Sequence, residues 1–200
     1  MEKQVYHEQV IDKTLLPSLF DSSIALSEEV KNRYSPIKES WPTGYMKFAE
    51  GSPSTELYEC YNVFLSPLQG FAEVYQKVID TFKKHETQYL NYAVAGWVNV
   101  YHKGGNLKWH KHGSDIHEHD GRWHGYVAVN SEPSKTMYRD SNKLITTIDN
   151  KDGYITLSHA GLYHQVTEWE LDKPRITIAF DFVLRNDIDP MNMTRWIPVI

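Results

Sequence analysis

The chain has a single cysteine, Cys60, in 200 residues, so no intrachain disulfide forms and no cysteine-rich zinc site can be assembled. That usage fits a reducing cytoplasm, the expected location. Long apolar runs are missing too: no stretch approaches the roughly 20 apolar residues of a membrane helix. The opening segment MEKQVYHEQV lacks the basic start and apolar run of a signal peptide. No membrane partner is expected. Positive charge is also in short supply. Lys and Arg total 21 against 26 Asp and Glu, a formal net charge of -5, which argues against nucleic acid as a partner. There is no internal repeat and no low-complexity tract.

What is present is a globular composition, 40% hydrophobic, with thirteen tyrosines and six tryptophans. Aromatic side chains suit pleated, half-buried surfaces, so the body is expected to be β-rich. The length suits one compact domain over 1–200 with a substantial core.

Along the chain, QVIDKTLLPSLFDSSIALSEEVKNRY reads as a strand and then a short helix near Ser27 to Tyr34. ESWPTGYMKFAEGSPSTELYE reads as loop, and its residues 37–56 suit a lid. The clearest helix is 66–84. Ser66 is placed as its N-cap, Pro67 as the first helical residue and Gln69 as the capping-box partner. Leu68, Phe71, Val74, Tyr75, Val78, Ile79 and Phe82 then recur at helical spacing, so one face must lie on something apolar, expected to be a sheet. From residue 92 onward, YAVAGWVNVY, LKWHKH, HGYVAVN, KTMYRD, KLITTI, GYITLSH and RITIAFDFVL alternate with turn signals. About seven strands then form an antiparallel β core with helices packed on one side.

KWHKHGSDIHEHDGRWHG, residues 108–125, holds five of the ten histidines. His110 and His112 are two apart in an expected strand, so both imidazoles project to one face. Neutral imidazole is a common ligand for iron, zinc and copper. A third ligand is needed, and His164 in SHAGLYHQV, opening the penultimate strand, is the natural candidate. Eleven residues on, Arg175 opens the most apolar strand, where an unpaired buried charge is costly. It suits a carboxylate received as a bidentate pair. Thr177 points the same way and can add a hydroxyl.

These residues resemble the Fe(II)/2-oxoglutarate-dependent dioxygenases, most closely their prolyl 4-hydroxylase-like branch and a microbial and phage subgroup of it. That branch carries a Y-x-x-G turn and, six residues after the glycine, an H-x-D pair. Tyr101 and Gly104 match the turn and His110 the first ligand. VAVN followed by SEPSKTMY resembles the branch's next strand and turn, and Arg175-Ile176-Thr177 resembles its R-x-S motif. GWVNVYHKGG is similar to the opening of the subgroup. The likeness spans roughly residues 92–184.

The resemblance implies a double-stranded β-helix (jelly roll), mainly β with packed helices. It implies an Fe(II)- and 2-oxoglutarate-dependent dioxygenase that couples oxidative decarboxylation of 2-oxoglutarate to C–H hydroxylation of a small-molecule or peptidyl substrate. His110, His112 and His164 would hold the iron. Arg175, with Thr177 and Tyr101, would hold 2-oxoglutarate. One departure stands out: the family's carboxylate ligand falls at position 112, where this chain has His112. Either the site is an H-x-H variant, or Asp115, Glu118 or Asp120 folds back as the oxygen ligand.

Plainer readings stand beside these. His117 and His119 read as solvated loop residues or substrate contacts, and His124 as a satisfied core or rim histidine. Arg175 can be a salt-bridge partner of Glu170 or Asp172, Tyr101 can be core, and Cys60 a buried small hydrophobe. A three-histidine cupin-type metalloenzyme without 2-oxoglutarate and a non-catalytic metal-binding jelly roll are the competing functions.

Overall fold

The computed structural model describes residues 5–34, 54–58, 61–112, 122–139, 144–188 and 195–200. The loop carrying Asp115, His117, Glu118, His119 and Asp120 lies outside these residues, as do Cys60 and most of the expected lid.

Among the described residues, ten strands and two α-helices follow in chain order: β1 Val5–Gln9, α1 Leu16–Arg33, α2 Phe71–His85, β2 Tyr92–Tyr101, β3 Leu107–His110, β4 Trp123–Asn130, β5 Lys135–Arg139, β6 Ile145–Asp149, β7 Tyr154–His159, β8 Tyr163–Val166, β9 Arg175–Leu184 and β10 Ile197–Pro198. They build two antiparallel sheets. The larger runs β1-β7-β4-β9-β2-β10 and the smaller β3-β8-β5-β6. Among the described residues no helix is long and apolar enough to cross a membrane.

Period-two alternation gives the larger sheet two different buried faces. Along β9, Ile176, Ile178, Phe180 and Phe182 join the main core, as do Val94, Val98 and Val100 of β2 and Val127 and Val129 of β4. Both helices cover this face. From α2, Phe71, Val74, Val78, Ile79 and Phe82 are buried in the same core, and the Phe82 ring stacks on Phe182 at 3.7 Å. The alternate residues face the smaller sheet: Arg175, Thr177 and Ala179 of β9, Trp97, Asn99 and Tyr101 of β2, and His124 and Tyr126 of β4 line one cleft. Polar side chains dominate that inner face. A sheet covered on both sides tolerates this only where the groups find partners or a ligand.

Three expectations need correction. The second helix starts at Phe71, not at 66, and no capping box forms. Gly70 is its N-cap in a left-handed conformation, φ 93°, while Ser66 Oγ accepts a local hydrogen bond from the Leu68 N–H at 3.3 Å. Gly70 interrupts the helical run because its positive φ lies outside helical geometry. The first helix begins well before Ser27. Its buried stripe is Leu19, Ser23, Leu26, Ser27 and Val30, and two serines in an otherwise apolar row hide the periodicity. Third, β1 ends at Gln9, where the stretch assigned to it begins, and is the edge partner of β7, with Val5 opposite Ser158.

Candidate metal centre

His110 closes β3 and sits directly opposite His164 of β8, their ring centroids 4.1 Å apart. The strand ends there, so His112 is not its alternate residue as expected. Its N–H leaves the ladder to donate to the Ala160 carbonyl at 3.0 Å. The turn still carries the His112 ring to the same place, 5.4 Å from each of the other two rings. One ring nitrogen from each of the three lies within 4.8 Å of the others.

Each ring is held from behind. His110 Nδ1 lies 2.8 Å from the Lys108 carbonyl, and His164 Nδ1 lies 3.2 Å from the Leu162 carbonyl. A carbonyl only accepts, so both Nδ1 atoms carry the hydrogen and both Nε2 atoms present lone pairs. His112 Nδ1 faces Asp181 Oδ2 at 3.1 Å. Anchoring one nitrogen while leaving the other bare is how protein-bound metal ligands are oriented.

Burial governs the electrostatics. It pushes the His110 imidazole down to about 3, with the nearby His112 charge adding to the effect. Burial, then the neighbouring imidazoles, holds His164 well below its ordinary value. His112 moves the other way: burial lowers it, but the charge and hydrogen bond of Asp181 prevail and raise it. Asp181 is penalised by burial, yet His112 and the hydrogen bonds from His112 and His124 hold it far below the carboxylate range. The donor set is thus three imidazoles with a carboxylate one layer behind, a fit for a borderline divalent cation such as iron.

The same cleft holds Arg175, only 3% exposed. Its Nε donates to Ser134 Oγ at 3.0 Å, and its guanidinium carbon stands 5.3 Å from the Tyr101 ring centre. Among the described residues no carboxylate pairs with it; Asp172 instead binds Lys103 at 2.9 Å. Thr177 is buried beside it on β9. Tyr101 stays a neutral phenol, pushed up to about 12 by burial against the opposing pull of Arg175. The cleft has a cavity volume of about 40 Å³ and opens to solvent.

Sequence reasoning missed several groups here. Tyr126 Oη lies 2.9 Å from Thr136 Oγ1 and 2.6 Å from Asn150 Oδ1, and Asn150 Nδ2 donates to Ser134 Oγ at 2.9 Å. This network ties the arginine's anchor to both sheets. On sequence alone His124 reads as a core or rim histidine, and Asp181 carries no assigned role. They face each other across β4 and β9, with His124 Nδ1 2.8 Å from Asp181 Oδ1. The signal for Asp181 was in RITIAFDF: it shares strand parity with Arg175 and Thr177.

No protein-family model matches this sequence, and no curated protein matches it. Solved structures do. A Pseudomonas putida prolyl-4-hydroxylase is similar with a TM-score of 0.58 at 12% identity, over 92% of this chain and 94% of that one. A prolyl hydroxylase from Trichoplax adhaerens, solved in complex with a hypoxia inducible factor oxygen degradation domain peptide fragment, gives a TM-score of 0.66 at 10% identity, over 91% and 84%. The non-heme monooxygenase ThoJ, solved as a nickel complex, gives 0.59 at 10% identity, over 99% and 77%. At such identities the common property is the fold. The expected double-stranded β-helix is the fold of this chain.

Proposed function

We propose that this chain is an Fe(II)- and 2-oxoglutarate-dependent oxygenase in which His110, His112 and His164 hold the metal and Arg175 receives the co-substrate. The observation that carries the reading is one cleft that joins a cluster of three anchored imidazoles to a buried guanidinium with which no carboxylate pairs among the described residues. A buried arginine that pairs with no carboxylate among the described residues calls for an anion. A dicarboxylate reaching from the metal to the arginine supplies it, and its charge also offsets the dication on a neutral ligand set. When bound, iron and 2-oxoglutarate supply the oxidising chemistry.

The chain's own residues do the rest. Arg175 offers a planar fork to a carboxylate. Thr177 offers a hydroxyl beside it. Tyr101 stays protonated, so its ring packs under the guanidinium without adding a competing charge. Trp97, itself buried and stacked with His112 and His124, shields the back of that pair from water. Single-domain organisation, with a β-helix core at 92–184 supported by α2, is part of this reading. The substrate is a small molecule or a peptidyl residue; the peptide complex of the Trichoplax enzyme supports the second class.

Anaerobic titration of the Fe(II)-loaded protein with 2-oxoglutarate tests the proposal. A saturable visible charge-transfer band at one equivalent is expected, together with succinate release in air. Metal binding without that band would favour the three-histidine oxygenase that does not use 2-oxoglutarate, and no stoichiometric metal would leave a non-catalytic jelly roll.

A further inference from the structure

A ligand set of three imidazoles lacks the anion that a protein carboxylate normally brings to a centre of two histidines and one acid. The structure places a carboxylate one layer out. Asp181 projects from the inner face of β9, its side chain 21% exposed, and each oxygen meets one imidazole: Oδ2 lies 3.1 Å from His112 Nδ1 and Oδ1 lies 2.8 Å from His124 Nδ1. The two rings lie flat against each other, centroids 3.7 Å apart at an interplanar angle of 15°. Trp97 stacks over both, at 6.0 and 6.2 Å. Other groups cannot easily take over this pairing. The register sets Asp181 directly opposite His124, so the carboxylate is fixed by backbone pairing rather than by a flexible side chain alone.

Resting on the metal reading above, we propose that Asp181 is a positioning residue that does for this centre what a directly bound carboxylate does elsewhere. By accepting the His112 Nδ1 hydrogen it fixes the tautomer that turns Nε2 to the metal, and it makes that imidazole a more electron-rich ligand. His124 occupies the second oxygen. That contact stops the carboxylate from swinging forward to bind the metal itself and holds it against His112. Both spacings, 2.8 and 3.1 Å, are hydrogen-bond lengths, and the shorter lies in the charge-assisted range, so the cluster of His112, His124 and Asp181 is complete without an ion of its own.

Two measurements test this. In the first, Co(II) affinity is compared by chelator competition in the wild type, Asp181→Asn and Asp181→Glu. A second-layer carboxylate predicts roughly tenfold to hundredfold weaker binding in Asp181→Asn, substantial recovery in Asp181→Glu, and a Co(II) absorption spectrum of unchanged coordination type throughout. Equal affinity in all three proteins overturns the inference, and so does a spectrum in which Asp181→Asn loses an oxygen ligand. In the second, long-range nitrogen–proton NMR of the Zn(II)-loaded wild type reads the tautomers directly and depends on no variant folding. Hydrogen on Nδ1 of both His112 and His124, with one ion per chain, is expected. Hydrogen on His112 Nε2, or a second ion held by Asp181, overturns it. A wild type that takes up no Co(II) or Zn(II) at all would instead remove the metal reading beneath.

Discussion

Replacing Arg175 with methionine should change ligand binding and stability in opposite directions. The guanidinium is 3% exposed, donates to Ser134 Oγ at 3.0 Å and stands 5.3 Å from the centre of the Tyr101 ring. Methionine removes the cation while keeping an unbranched side chain of similar length. Exchanging a buried ion pair for apolar groups of similar volume is often neutral or gains about 1–4 kcal/mol, and removing a buried cation that has no acid partner among the described residues acts in the same direction. The lost face contact with Tyr101 takes back roughly 0.5–2 kcal/mol. Ser134 is not orphaned, because Asn150 Nδ2 still donates to it at 2.9 Å. The metal-free Arg175→Met protein should therefore be about 0–2 kcal/mol more stable than the wild type, read from urea midpoints at constant slope. Affinity for 2-oxoglutarate should fall sharply. Removing one partner of a buried charge pair costs about 2–5 kcal/mol, which is about 30-fold to several thousandfold in Kd. Calorimetry on the anaerobic metal-loaded protein reads that loss. A variant more than about 1 kcal/mol less stable would show that the guanidinium is a structural pillar. A variant that binds 2-oxoglutarate with wild-type affinity would refute its role as the acid's receptor.

Phe82→Ala removes a fully buried ring stacked on Phe182, and should cost about 3–5 kcal/mol, seen as a lower urea midpoint. Succinate release per folded molecule should stay near the wild-type value, since the ring lies on the far side of the sheet from the cleft. The metal-free protein should lose stability as pH falls from 6.5. His110 and His124 are depressed in the fold to about 3 and about 4, by burial first and then by His112, and His164 is lowered as well. The unfolded chain therefore takes up protons first, and the loss continues down to those folded values. His112, raised by Asp181 against its burial, opposes this trend but is one group against three. A urea midpoint that does not fall between pH 6.5 and pH 4 would contradict the neutral, buried assignment of those imidazoles.

Much of the β architecture was legible because its signals are local. YAVAGWVNVY and RITIAFDFVL coincide with β2 and β9 residue for residue, since an unbroken run of β-branched and aromatic residues between turn signals leaves few other solutions. His110 and His164 stood out for similar reasons, through their spacing from the Y-x-x-G turn and from Arg175. The helix starts were read less well. At Ser66 the capping chemistry was present, but the positive φ of Gly70 prevailed over it. In α1 the buried serines broke the apolar stripe. His112 joins the histidine cluster by a different route from the one its spacing suggests. It reaches the cluster through a turn held by Ala160 rather than as the alternate residue of a strand.

The amino-acid sequence by itself determined the alternation of β9, with its aliphatic and aromatic residues on one face and Arg175, Thr177 and Asp181 on the other. It also determined the density of histidines near residue 110. Only the tertiary structure decided which of those groups meet. Pairing of β4 with β9 puts Asp181 opposite His124, and pairing of β3 with β8 puts His110 opposite His164. These contacts join segments tens of residues apart; side-chain period within a strand fixes which face a residue takes, but not which distant strand pairs with it or which of that strand's same-face residues lies opposite.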